Sequence, residues 1–178
     1  MFWFDLAQLQ TVGLVALSGL LGAAIGLERE LAHKPAGLRT HMLVASTGTL
    51  FVALGDIVIG HFQANLGSGL VRADPTRLIE AVITGITFLG AGTIIRLGGS
   101  RRIEGLTTAA SILAAAAVGV CVALRQLFLA IGMTGLVLVT LTAIGRFEHW
   151  AAQRSACGEK SSSATSRSLS DQPQDPLE

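Results

Sequence analysis

The 178-residue chain is 51% hydrophobic and only 14% charged, with a mean hydropathy of +0.60. Soluble domains carry about 25% charged residues, so the composition argues against an ordinary water-soluble protein and makes membrane insertion the first expectation. The net charge of +1 is uninformative, because the positions of the charges matter more than their sum, and no nucleic-acid partner is called for.

The opening residues Met1-Phe-Trp-Phe-Asp lack a basic n-region, and the apolar run after them is too long for a secretory signal peptide. Leu6 to Leu27 is the first predicted span, since crossing a bilayer core takes roughly 20 residues. Phe2, Trp3 and Phe4 precede it as an interfacial aromatic anchor. Within it Ser18, Gly22 and Gly26 recur every four residues, a small face that lets a neighbouring backbone approach. A charged loop follows, turning at Pro35-Ala36-Gly37.

The second predicted span is His41 to Ile59, interrupted by Asp56, and His61 to Asp74 is expected to be a polar loop. Asp74-Pro75 has the form of an N-cap followed by proline at the first helical position. The third span, Leu78 to Ile95, holds Gly85, Gly90 and Gly92; Ala81, Gly85 and Gly92 share one helical face. A basic hairpin, Arg96 to Arg102, leads to the uncharged fourth span, Gly105 to Leu124, with Ser111, Ala115 and Gly119 as another small face. Arg125-Gln126 must then be a tight reversal into a fifth span, Leu127 to Gly145, closed by Phe147 and Trp150. One long broken segment at Arg125 would instead give four spans and flip the tail. From Ser155 the chain is polar, Ser-rich and expected to be disordered. The domain expectation is therefore a transmembrane domain over 1–154 and a tail over 155–178.

Lysine and arginine set the orientation. Ten (Arg29, Lys34, Arg39, Arg96, Arg101, Arg102, Arg146, Arg154, Lys160 and Arg167) fall on one side, against Arg72, Arg77 and Arg125 on the other. The expected architecture is an all-α membrane bundle of about five helices, N-terminus outside and C-terminus cytoplasmic, self-associating through its small faces.

Several positions are candidates for chemistry. Glu28, Arg29 and Arg39 sit at the ends of the first two spans, either as a polar contact site for a partner or as an ordinary ion pair orienting helices. Asp56 and Glu80 are the acids inside apolar runs and are expensive there unless paired or hydrated. Together they are a candidate site for a hard divalent cation such as Mg²⁺ with waters retained. The alternative pairs Glu80 with Arg77 and lets Asp56 reach interfacial water. Thr84, Thr87, Thr107 and Thr108 could line a polar path, although threonines in membrane helices more often bond backbone or a neighbouring helix. The glycine run lacks the Lys-Ser/Thr of a phosphate loop. His33, His41, His61 and His149 have no ligand spacing, and Cys121 and Cys157 would lie at different depths, so neither a metal cluster nor a disulfide is expected. No cofactor is called for and no nucleophile–base constellation is visible, so an enzyme is not expected.

The runs G-A-A-I-G-L-E-R-E (22–30), K-P-A-G-L-R-T (34–40), G-I-T-F-L-G-A-G-T-I-I-R (85–96) and G-L-T-T-A-A-S-I (105–112) together resemble the MgtC/SapB family of bacterial membrane proteins. The resemblance covers about residues 14–124; Thr87 stands where the family usually shows glycine. It implies a small multi-pass protein of the bacterial inner membrane, with Glu28, Arg29, Arg39 and Thr107 as motif residues of functional interest. Better-studied members are linked to growth in low magnesium and to survival inside host cells (virulence). Some act by modulating other membrane proteins, the ATP synthase among them. Larger relatives add a soluble C-terminal domain. The leading expectation is therefore a contact regulator of another membrane protein. The alternative is a transporter or sensor of divalent cations built on Asp56 and Glu80.

Overall fold

A computed structural model describes residues 6–66, 74–96 and 103–143. The chain divides after Val139, and only the last helical turn, 140–143, is described beyond that point. The elements are α1 (Leu6–Leu31), α2 (Leu38–Leu66), α3 (Pro75–Ala91), β1 (Ile95–Arg96), β2 (Ile103–Glu104), α4 (Leu106–Ala123) and α5 (Leu127–Ala143). Among the described residues three stretches are long and apolar enough to cross a membrane, Leu6–Leu31, Leu38–His61 and Leu106–Ala123; Leu127–Ala143 is a shorter apolar helix. The aromatic anchors, Cys157, His149 and the Ser-rich tail lie outside the described residues.

The bundle is inverted relative to a soluble core. Its exterior carries large apolar side chains, Phe128 97% and Phe88 84% exposed among them, while Ser18, His41 and Thr49 are fully buried. An exposed apolar surface this extensive is untenable in water but is what lipid requires. Inside, small residues replace large ones, so backbones come close. On α1, Ser18, Gly22 and Gly26 are buried; on α4, Ser111, Ala115 and Gly119 are buried. α2 lies between them, packing on both, and α1 also meets α4. α3 packs on α4 and on α2.

The helix ends differ from the expected spans for identifiable reasons. α2 begins at Leu38 and runs to Leu66, past the expected limit of Ile59, so the first six residues of the anticipated polar loop are helical. α3 begins at Pro75 behind Asp74, whose side chain accepts from the backbone of Thr76. It ends at Ala91, four residues short of Ile95, because the chain leaves the helix to pair Ile95 with Glu104 and Arg96 with Ile103 in a two-stranded antiparallel ladder. Gly92 is therefore the C-cap of α3, not a member of its packing face.

Two helices stop in the same way. After α1, His33 adopts φ +54 and Lys34 N–H bonds the Arg29 carbonyl at 3.0 Å; after α4, Arg125 adopts φ +58 and Gln126 N–H bonds the Cys121 carbonyl at 2.9 Å. Both are 6→1 closures around a left-handed residue that is usually glycine. The Arg125 closure ends α4, and α5 starts two residues later, so the two are separate helices.

Candidate functional site

The densest set of polar contacts joins the end of α1, the start of α2 and α4. The Glu30 carboxylate reaches across the turn and accepts the Leu38 backbone N–H at 2.8 Å, capping α2 from the preceding helix. Gly37 leaves the room for it, since a Cβ there would stand 2.8 Å from Glu30 Oε2. Beside this cap α1 and α2 nearly touch: a Cβ on Gly26 would come 2.7 Å from Leu38 Cα, and one on Gly22 2.5 Å from the His41 carbonyl oxygen.

That closeness seals His41 inside the bundle. Its Nδ1 lies 2.9 Å from the Gly37 carbonyl and its Nε2 3.0 Å from Ser111 Oγ on α4. A carbonyl only accepts, so Nδ1 carries the hydrogen, and in the neutral ring Nε2 accepts from the Ser111 hydroxyl. The Thr108 carbonyl, 2.8 Å from the same hydroxyl, is the alternative acceptor for its single hydrogen. Next to this network Arg29 is 4% exposed and grips the adjacent Glu28 twice, Nε to Oε2 at 2.7 Å and Nη2 to Oε1 at 3.1 Å. A cation in the last turn of α1 also suits the negative end of the helix dipole.

A second junction ties α3 to α4. Gly105 has φ +95, and a side chain on it would strike the Thr93 carbonyl, so glycine is required twice over. Thr93 Oγ1 in turn donates to the Gly90 carbonyl at 2.7 Å, and Gly90 faces Ala109, with 3.5 Å left for a Cβ.

Apart from His41, the residues that make these two junctions belong to the four sequence runs 22–30, 34–40, 85–96 and 105–112, and the comparison with known proteins agrees. The profile described as the MgtC family matches residues 15–150. The chain belongs to the MgtC family. A protein of Haemophilus influenzae described as uncharacterised is 37% identical over 139 residues, 78% of this chain and 57% of that protein. The protein MgtC of Brucella abortus is 40% identical over 120 residues, 67% of this chain and 44% of its own length. An Escherichia coli K12 protein carrying the name "Putative magnesium transporter YhiD" is 40% identical over 106 residues, 60% of this chain and 47% of that protein. The chain thus spans about half the length of these curated relatives. No solved structure matches it. As a family member it is a multi-pass protein of the bacterial inner membrane.

Within this MgtC-family framework the expected site residues fall into different places. Glu28 and Arg29 form the ion pair described above; Arg39 is exposed and makes no ion pair with a described residue. Thr107 is exposed, whereas its neighbour Thr108 is 2% exposed and belongs to the His41–Ser111 network. Asp56 and Glu80 are both exposed. Leu78 of α3 packs into the notch at Gly55 of α2, and Glu80 lies about 200° around α3 from Leu78. Asp56 lines a cavity with residues of α1, with Leu78 and Ile79 of α3 and with the end of α4; Glu80 is not among its lining residues. Among the described residues no group of three or more His, Cys, Asp or Glu is placed to hold a metal ion.

Gly85 has no atom within 4 Å of where a side chain would begin. It lines an apolar groove of about 510 Å³ that runs between Leu43, Val44 and Phe51 of α2 and Val82, Ile86 and Leu89 of α3. Two participants escaped the sequence reading. Glu30 looked like one more loop charge, and His41 like an isolated histidine at a loop edge. The available signal was their spacing: Glu30 precedes the Pro-Ala-Gly turn at α2's start, and His41 is four residues after Gly37, on the face that α1's glycines approach.

Proposed function

We propose that this protein is a regulatory membrane protein of MgtC type that acts by helix contact with another membrane protein. The observation that carries this reading is the groove between α2 and α3. Its lining is almost entirely apolar, as a lipid-facing surface requires, and Gly85 leaves its wall bare where a backbone could settle. Without a hydrophobic drive between helices in lipid, association depends on close van der Waals packing at small residues. A groove walled by Val82, Ile86 and Leu89 around a bare glycine supplies it. Five spans, with the first and last ends on opposite faces of the membrane, are part of this reading: α3 and α5 are 17 residues each, about 26 Å of helix, close to a ~30 Å core. The first partners to assay are an ATP synthase, which the family resemblance suggests, and a second copy of the chain, which the small-residue faces suggest.

The test is co-purification from native membranes of the full chain and of Gly85→Leu. Loss of the partner from the variant at unchanged protein level supports the proposal; an unchanged complex sinks it.

Magnesium transport is the second reading, favoured by the name of the Escherichia coli relative. Mg²⁺ flux in liposomes containing the purified protein alone, with Asp56→Asn/Glu80→Gln as control, decides between them. Flux that the double variant abolishes would establish transport.

A further inference from the structure

At the end of the bundle where α1 begins and α4 ends, a cavity of about 640 Å³ opens between α1, α2, α3 and α4. Its lining is graded. Gln8, Gln10, Asp56 and Arg125 are exposed at the mouth, while Leu14 and Leu78 are half-buried and Val52 is 7% exposed. The gradient follows the helices, because Leu14 is one turn deeper than Gln10 and Val52 one turn deeper than Asp56. The mouth is polar and the floor apolar.

The two charges at the mouth have opposite signs yet form no ion pair with each other, nor with any other described residue. Arg125 Nη2 donates instead to Gln10 Oε1 at 3.2 Å, which leaves the amide's own N–H groups to donate elsewhere. Arg125 is held in place by its left-handed closure of α4. A charged side chain inside an apolar span, as Asp56 is, is costly and marks a candidate functional site. Here a carboxylate stands on one wall, and a guanidinium with an amide donor on another, above an apolar floor. We infer that this cavity binds a zwitterionic amphiphile whose primary ammonium pairs with Asp56, whose phosphodiester pairs with Arg125 and Gln10, and whose acyl chain enters over Leu14 and Val52. A phosphatidylethanolamine has this chemistry. Phosphatidylcholine lacks the N–H donors that a carboxylate orients, and phosphatidylglycerol lacks the cation.

This inference is independent of the α2–α3 groove. Native mass spectrometry of the full purified chain, offered dioleoyl phosphatidylethanolamine, phosphatidylcholine and phosphatidylglycerol in turn, reads it directly. Retention of phosphatidylethanolamine is expected to exceed the other two by about tenfold, the ratio one additional charge-assisted contact supplies. Asp56→Asn should remove the preference over phosphatidylcholine, and Arg125→Gln should lower retention of all three. Ala53→Phe, which fills the floor, should expel lipid whatever its head group. Equal retention of the three lipids by the unaltered chain overturns the proposal, as does a preference untouched by Asp56→Asn. Displacement by an equal concentration of free phosphoethanolamine would also overturn it, because the apolar floor would then contribute nothing.

Discussion

His41 and Ser111, seventy residues apart in sequence, meet at 3.0 Å in the interior of the bundle and tie α2 to α4. His41 is fully buried, and both of its ring nitrogens have partners. Ser111→Ala leaves Nε2 a buried acceptor without a donor, at a cost of about 1–3 kcal/mol. The thermal midpoint in detergent should fall accordingly. Nitrogen-15 spectra of the unaltered protein should report the tautomer protonated at Nδ1. A midpoint unchanged in Ser111→Ala would mean the bond contributes nothing to stability.

Two glycines on neighbouring helices should respond in opposite ways to the same change. A methyl group on Gly119 would collide with the Ala45 backbone carbonyl, and α2 and α4 would have to separate. Overpacking of this kind costs about 1–3 kcal/mol, more where backbone must move. Gly85→Ala meets nothing and gains helix propensity, about 0.5–1 kcal/mol. Unfolding of the two variants side by side should show a loss for Gly119→Ala and no loss for Gly85→Ala.

The Glu28–Arg29 pair predicts non-additive behaviour. Removing one member of a buried ion pair costs about 3–5 kcal/mol because a lone charge stays inside; the cost here is smaller, since Glu28 is 18% exposed. Glu28→Gln should therefore destabilise the protein more than the double change Glu28→Gln/Arg29→Gln. Strictly additive losses across the cycle would show that the two side chains act independently.

Asp74 predicts a pH dependence confined to the start of α3. Its carboxylate accepts from Thr76 Oγ1 at 2.6 Å and from Thr76 N–H at 3.0 Å, which lowers its pKa from the usual 3.8. A lowered folded-state pKa means the cap's contribution is present at neutral pH and is lost as the pH falls through the folded value. Amide exchange over 76–79, corrected for intrinsic rates, should accelerate only below that usual value. Asp74→Ala should remove the pH dependence while raising exchange at neutral pH.

Much of the architecture was legible because lipid restricts the solutions. The four-residue spacing of Ser111, Ala115 and Gly119 marked α4's buried face, Asp74-Pro75 marked the start of α3, and the short Arg125-Gln126 step marked the break before α5. The end of α3 was not legible: apolarity continues to Ile95, but the backbone turns at Gly92 because a strand partner, Ile103–Glu104, competes for the hydrogen bonds of Ile95 and Arg96. The His41 network was hidden for a related reason. Its partners, Gly37 and Ser111, come from a turn and a distant helix, and no local pattern joins them. Which face α3 turns towards α2 depends on its rotation, which the Leu78–Gly55 contact sets and hydropathy does not.

α3 is fastened at two points, by Leu78 in the Gly55 notch near its start and by Gly90 against Ala109 near its end. Between these fastenings Val82 is buried and Ile86 packs against the core of α2 and α4, while Gly85 stands clear and Ile83, Thr84 and Thr87 are exposed. Side chains on that exposed side of the middle can be exchanged without disturbing the interior shared by α1, α2 and α4. A lineage can therefore revise what this surface recognises while the scaffold that presents it stays the same.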